Sequence, residues 1–286
     1  MVRLLRSLIF VPGNNSRFLE KAKTLPVDII CFDLEDSVPT NEKDAARNLI
    51  KNALTKRSEY KAEVYVRTNS PISGMIPDDL AKIIQQGIDG IVIPKVNNVM
   101  ELKRIEKVVT SLEKKRKLKP IEIIPSIESA EGVVNTYDIA LSSKRISALV
   151  FGVFDLLNDM GIEYTKQPEG AKYARAKIPI DTRAAGKYVI DAIWQDLNDE
   201  SGLVEDCKIG KSLGYVGKSI IHPSQIPIVH SIFKPNQTEI DWAKKVCQVY
   251  ENSIKKNKGA TVVEGKMIDE VHYKRAKSLL DLIKDG

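Results

Sequence analysis

Cysteine, aromatic residues and long apolar runs are all scarce in this chain of 286 residues. The three cysteines, Cys31, Cys207 and Cys247, are far apart and odd in number. They fit neither a disulfide framework nor a metal knuckle, and a reducing cytoplasm is the compartment they suit. Aromatics make up 6% and charged residues 29%, with a mean hydropathy of −0.21, which excludes both a membrane protein and a disordered one. No apolar run reaches the length that spans a bilayer. The opening stretch, with Arg3 and then Leu4 to Pro12, has the cation and apolar segment of a signal peptide. It is too short and runs straight into a turn, so it reads as a first strand. Internal repeats, low-complexity tracts and any gathering of His and Cys suited to zinc are also missing.

Charge of one sign is nearly balanced. The formal net charge is +6 and the pI about 9.0, yet lysines alternate with acids, as in Glu101-Leu102-Lys103-Arg104-Ile105-Glu106-Lys107. That is not a nucleic-acid stripe. The densest run, Glu113 to Lys117, reads as a solvated helix end.

What is present is a recurring unit. Short β-branched runs at Ser7–Val11, Asp28–Leu34, Glu63–Arg67, Gly90–Pro94, Ile121–Ile127, Ile146–Gly152, Tyr188–Trp194 and Lys218–His222 alternate with helical stretches. Runs such as Ile91-Val92-Ile93 are apolar without alternation, as strands of a parallel sheet covered on both faces must be. Asn41 before Glu42 to Ile50, and Pro77-Asp78-Asp79-Leu80, carry helix-start signals. Eight such units predict an α/β fold, a (β/α)8 TIM barrel. The alternative, an open doubly wound sheet, is disfavoured because Pro12-Gly13-Asn14-Asn15-Ser16-Arg17 follows the first strand where a G-x-G-x-x-G loop belongs. The predicted division is a barrel over 1–232 and a C-terminal helical extension over 233–286. The extension is expected to hold a helix over Thr238–Lys256 with Thr238 as N-cap, a break at Asn257–Ala260, and a closing helix from Asp269.

The reactive face of a barrel lies where its strands end, and nearly every run here ends in an ionisable group. The ends are Asp33-Leu34-Glu35-Asp36, Arg67-Thr68-Asn69, Pro94-Lys95, Ser126-Ile127-Glu128-Ser129, Gly152-Val153-Phe154-Asp155 and His222-Pro223-Ser224-Gln225. Glu128 and Asp155 end adjacent strands and form a hard-oxygen pair suited to Mg2+. Either acid alone would more simply be an ion-pair partner or a cap. Arg67 ends an apolar strand and needs a carboxylate, either a substrate's or that of Glu35 or Asp36. Lys95 fits a Schiff-base lysine less well than the acids fit a metal. His222 is equally a base or a structural residue.

In their order along the chain, Arg6-Ser7-Leu8-Ile9-Phe10-Val11-Pro12-Gly13, Phe32-Asp33-Leu34-Glu35-Asp36-Ser37-Val38, Val66-Arg67-Thr68-Asn69, Ile93-Pro94-Lys95, Ile127-Glu128-Ser129-Ala130, Phe151-Gly152-Val153-Phe154-Asp155-Leu156 and Ile221-His222-Pro223-Ser224-Gln225 resemble the citrate lyase beta subunit family of the HpcH/HpaI aldolase superfamily. Ser129 in place of a threonine and Asn14-Asn15 in place of a small pair are minor departures. The resemblance implies a magnesium-dependent lyase that breaks or makes a carbon–carbon bond in a 3-hydroxyacyl-CoA thioester such as citramalyl-, malyl- or citryl-CoA. It implies Glu128 and Asp155 as metal ligands and Arg67 as the grip on the oxo acid, with Glu35 and Asp36 orienting Arg67 and metal-bound water. Arg17 and Lys21 fall at the CoA phosphates, and Lys95 is grouped with them in ligand binding. Gly265-Lys266-Met267-Ile268-Asp269 resembles the tail of stand-alone lyases, where the aspartate serves a neighbouring subunit as acid/base in a homo-oligomer, a trimer or dimer of trimers. Asp269 as a plain helix cap is the other reading. Competing functions are a thioesterase or synthase on the same site, a non-autonomous citrate lyase subunit, and a nucleic-acid binder.

Overall fold

The computed structural model describes residues 4–166, 168–255 and 258–284. Met1 to Arg3, Lys256 at the end of the expected helix and Asn257 of the expected break lie outside them. Eight parallel strands close into a barrel in chain order: β1 (Ser7–Pro12), β2 (Ile29–Asp33), β3 (Glu63–Arg67), β4 (Gly90–Ile93), β5 (Glu122–Ile127), β6 (Ala148–Phe151), β7 (Tyr188–Asp191) and β8 (Gly217–Ile220). β8 pairs back onto β1, with Leu8 opposite Ser219. The predicted (β/α)8 barrel is therefore correct. The expected runs overshoot most at β7 and β8, which end three and two residues earlier, where the chain turns into loops of mixed polarity.

Every residue of β2, β4, β6 and β8 is buried, because the strands are covered by helices outside and fill the barrel inside. Side chains two residues apart share a face. The inward set includes Leu8, Cys31, Tyr65, Val92, Ile124, Val150 and Ile190, one continuous core with Phe10 packed against it. Continuing that parity toward the strand ends puts Asp33, Arg67, Glu128 and Gly152 inward as well. The apolar filling thus gives way to charge at the C-terminal mouth.

A second set of buried charges lies in the wall. Lys218 on β8 stands opposite Asp191 on β7, both fully buried. Lys218 Nζ is 3.3 Å from Asp191 Oδ2 and 2.5 Å from Asp206 Oδ2. Arg175, from the helix Lys172–Ala184, pairs with Asp191 and, at 2.7 Å, with Asp206 of the helix Glu200–Leu213. Gly210 lets that last helix approach, since a Cβ there would lie 2.5 Å from Asp191 Oδ2.

Leu5–His230 forms one compact unit, and the chain after His230 belongs to a second. The second unit contains a helix, Gln237–Ile254, a hairpin of β9 (Thr261–Val263) and β10 (Lys266–Ile268), and a closing helix, Glu270–Lys284. The helix start corrects the expected cap: Asn236, not Thr238, accepts from Glu239 N, and the Glu239 side chain returns the bond as a capping box. The expected extension lacked β10. Its turn is Glu264-Gly265, both at positive φ (50° and 77°), the twist that two-residue hairpins need. Val246, Tyr250, Val263, Ile268 and Ala276 make this unit's core. Among the described residues no helix is long and apolar enough to cross a membrane.

Candidate active site at the barrel mouth

Asp33 and Arg67 end β2 and β3 directly opposite one another. Arg67 Nε donates to Asp33 Oδ1 at 2.6 Å and Nη2, on the same edge of the guanidinium, donates to Oδ2 at 2.8 Å. The expected partners were Glu35 or Asp36; the fork is instead filled by Asp33, because register places that carboxylate level with the guanidinium. Glu35 contributes only a 3.3 Å contact to Arg67 Nη1, and Asp36 does not pair with Arg67. Phe10 lies flat beneath the guanidinium, 4.5 Å from ring centroid to Cζ. Asp33 also accepts from Glu35 N at 2.8 Å and from Ser37 N at 3.1 Å. Burial works against its charge, but Arg67 outweighs that and holds the Asp33 carboxyl down at about 2.

The loops around this pair are tied from below. Lys43 donates to the carbonyls of Leu34 and Glu35 at 2.6 and 2.7 Å, fixing the turn that presents Glu35 and Asp36. Asp79, read as a helix-start acid, is fully buried; it accepts from Asn69 N at 2.7 Å and from Arg47 at 2.7 Å. It thereby anchors the loop after Arg67.

Glu128 follows β5 and is 5% exposed. Burial, then Glu35 close by, pushes its carboxyl up to about 8. Glu35 is raised likewise, to about 7. Asp155 is not a strand end, as expected, but lies in the first turn of the helix Val153–Asp159, since β6 stops at Phe151. It still lines the same cavity as Asp33, Asp36, Arg67 and Glu128, a space of about 460 Å3. Gly152 makes that possible: a Cβ there would fall 2.4 Å from Glu128 Cγ and 2.7 Å from Oε1. Lys95 joins the group, its Nζ 2.9 Å from Glu35, 3.3 Å from Asp36 and 3.1 Å from Asp155.

Other predicted residues stand apart from this cluster. Arg17 and Lys21 are exposed on the helix Ser16–Ala22 that follows β1, on the mouth side because the helix starts at a strand's C-terminal end. His222 caps the turn Pro223–Gln225, its Nδ1 3.2 Å from Ser224 N, and Gln225 accepts from Ile221 N at 3.0 Å. Asp269 belongs to the second unit, where Oδ1 accepts from Val271 N at 3.0 Å and lies 2.7 Å from His272 Nδ1. These bonds, first of all the one to His272, hold its carboxyl below the ordinary range.

The donors suit a hard cation. Glu128 and Asp155 offer oxygen only, and Glu35 Oε2 is buried with no hydrogen bond, its nearest cation being Arg67 Nη1 at 3.3 Å, so carboxylate is in excess here and a further cation would neutralise it. Among the described residues no three His, Cys, Asp or Glu side chains form a full metal cage. Mg2+ does not require one, because it keeps water and takes one or two carboxylates plus ligand oxygens.

Sequence reasoning missed Asp33, Lys43, Asp79 and Gly152. The parity of Asp33 with Cys31 was the available signal for the first. The others depend on contacts between distant segments.

A closed parallel barrel with buried charge gathered at the C-terminal mouth is the construction of a (β/α)8 enzyme. More narrowly, the chain belongs to the HpcH/HpaI aldolase/citrate lyase family, which matches residues 6–223, so the family read from the motifs is correct. It is 32% identical to the citrate lyase subunit beta of Haemophilus influenzae over 100% of this chain and 99% of that protein. It is 31% identical to a (3S)-malyl-CoA thioesterase of Cereibacter sphaeroides, covering 96% of this chain and 93% of that one. A solved structure of CitE from Mycobacterium tuberculosis in complex with magnesium, acetoacetate and coenzyme A has the same fold. It superposes with a TM-score of 0.78 at 24% identity, over 99% of this chain and 100% of the other.

Proposed function

We propose that this protein is a magnesium-dependent lyase that cleaves, or forms, the carbon–carbon bond of a 3-hydroxyacyl-CoA thioester such as citramalyl-, malyl- or citryl-CoA, with acetyl-CoA and an oxo acid as the other side of the reaction. The observation that carries this reading is the surplus of buried carboxylate around Glu128 and Asp155 in one cavity with Arg67. Relatives named for citrate lyase and malyl-CoA chemistry support it, as does a fold neighbour solved with magnesium and coenzyme A.

Glu128 and Asp155 would hold Mg2+, which when bound supplies Lewis acidity toward an oxo or alkoxide oxygen. Asp33 takes the Nε and Nη2 edge of Arg67, so the Nη1 end of the guanidinium, held in a fixed position, is what would meet the oxo-acid carboxylate or the developing oxyanion. Asp33 and Glu35 would hold Arg67, and Glu35 and Asp36 would orient Lys95 and water at the mouth. Arg17 and Lys21 would meet the CoA phosphates. Cleavage leaves an enolate on the acetyl thioester that must take a proton, and condensation needs a base at the same carbon. Asp269, ionised by its hydrogen bonds, suits the base of the condensing direction, delivered to a neighbouring copy in a trimer or dimer of trimers. The cytoplasm is the proposed compartment.

The deciding assay gives the purified chain malyl-, citramalyl- and citryl-CoA with Mg2+ and follows acetyl-CoA and oxo acid. Mg2+-dependent cleavage of any of them supports the reading; none overturns it for the chain acting alone and favours a subunit of a larger complex. Free CoA with malate would favour the thioesterase reading, which the Cereibacter relative motivates. For the tail, Asp269→Asn should lower cleavage by about two to four orders of magnitude. Mixing it with inactive Glu128→Ala subunits should restore activity. No recovery after verified subunit exchange returns Asp269 to its capping role.

A further inference from the structure

Lys95 is the first residue after Pro94 at the end of β4, and its backbone takes a φ of 52°, one of three non-glycine positive values among the described residues. A side-chain-bearing residue holds that conformation only when its surroundings demand it. Here the twist sends the residue's two polar groups to the two candidate metal ligands. The Lys95 N–H donates to Glu128 Oε2 at 3.1 Å, while its ammonium lies 3.1 Å from Asp155 Oδ1. The same ammonium donates to Glu35 at 2.9 Å and reaches Asp36 at 3.3 Å.

From this juxtaposition we infer that Lys95 is the counter-ion of the metal-free site and sets the affinity of the magnesium ion: a tethered cation that neutralises Asp155, Glu35 and Asp36 until Mg2+ replaces it at Asp155. The inference rests on the reading that Glu128 and Asp155 hold the ion. Arg67 is already committed to Asp33 through Nε and Nη2 and to Glu35, 3.3 Å from its Nη1. An ammonium on one Asp155 oxygen and a Mg2+ ion on the same carboxylate repel each other at close range, so each weakens the other's hold and entry of Mg2+ favours withdrawal of the ammonium. A route exists. The Lys95 side chain is 29% exposed and that of Asp36 57%, so the ammonium can move outward with Asp36 as its partner. The backbone N–H need not leave Glu128, and one ligand stays aimed throughout.

A cation that competes with the metal and a strut that supports the ligands predict opposite outcomes. Mg2+ alone is titrated calorimetrically into the full-length wild type, Lys95→Met and Lys95→Arg, with thermal melts in EDTA and in Mg2+. Competition predicts that Lys95→Met binds Mg2+ about tenfold more tightly, melts lower than wild type in EDTA, and gains more from added Mg2+. Lys95→Arg, which keeps the charge, should stay near wild type in both. Unchanged or weaker Mg2+ binding by Lys95→Met overturns the inference. If Lys95→Met does not fold, Lys95→Gln gives the same comparison. Failure of the wild type to bind Mg2+ at all would overturn the metal reading and this inference with it. Wild-type binding that Glu128→Gln leaves intact would overturn the ligand assignment on which both rest.

Discussion

The barrel holds two clusters of buried charge that differ in one respect. In the wall, Asp191 and Asp206 face Arg175 and Lys218, and the signs cancel. At the mouth, the buried Asp33, Glu35 and Glu128 and the more exposed Asp36 and Asp155 outnumber the cations beside them, Arg67, Lys95 and, beneath the loop, Lys43. Titration follows the difference. In the wall, burial opposes ionisation, yet Lys218 and Arg175 keep Asp206 low, and the acids keep Lys218 high despite complete burial. At the mouth, burial and neighbouring acids raise Glu128 and Glu35. A cluster that balances itself is architecture. One that carries a surplus of a single sign is built around something it does not itself contain.

The largest effect that would sharpen or break this contrast is on turnover. Glu128→Ala should reduce Mg2+-dependent cleavage by at least about three orders of magnitude, while stability in EDTA stays level or rises because a repelled buried carboxylate is gone. Near-normal turnover, or a large loss of metal-free stability, would erase the distinction from the wall.

Next comes the wall. Lys218→Met leaves Asp191 and Asp206 to share Arg175 alone, and chemical denaturation should show a loss of about 3–5 kcal/mol that Mg2+ does not reverse. A melt like the wild type's would mean that the balanced cluster holds nothing together.

The smallest effect concerns the one mouth pair that is balanced in the manner of the wall, Asp33 with Arg67. Folding lowers the Asp33 carboxyl from an ordinary 3.8 to about 2. Its contribution is therefore present above pH 4 and lost as pH falls toward 2, and is worth about 2 kcal/mol at neutral pH. Denaturant midpoints measured from pH 7 down to 2 should fall less steeply for Asp33→Asn than for wild type. Parallel profiles would remove Asp33 from the role of structural partner.

The eightfold β-run pattern was legible because parallel strands buried on both faces leave a continuous apolar signature, and the loops after them collect the ionisable groups. That reasoning assembled Glu35, Asp36, Arg67, Lys95, Glu128 and Asp155, all of which meet in or beside one cavity. It did not find Asp33 as the partner of Arg67, because the match depends on the register between β2 and β3, which no local pattern encodes. Lys218 opened the eighth run, where a lysine gives no sign of burial. Its partners lie 27 and 12 residues away along the chain, and only the packed helices show why a lysine can stand there. β10 escaped notice because Lys266-Met267-Ile268 is not a β-branched run, unlike the equally short Thr261-Val262-Val263 of β9.

The close approach of Gly152 to Glu128 has a consequence for how this scaffold can change over generations. Every codon change that replaces the glycine adds a Cβ where the glutamate's own carbons already sit, so position 152 admits no gradual drift while Glu128 keeps its place. The dependence runs one way: the glutamate can be lost while the glycine stays, but the glycine can be replaced only once the glutamate has moved. A gene copy that carries a larger residue at 152 is thereby marked as one whose acid has been evicted and whose barrel has been released for other work.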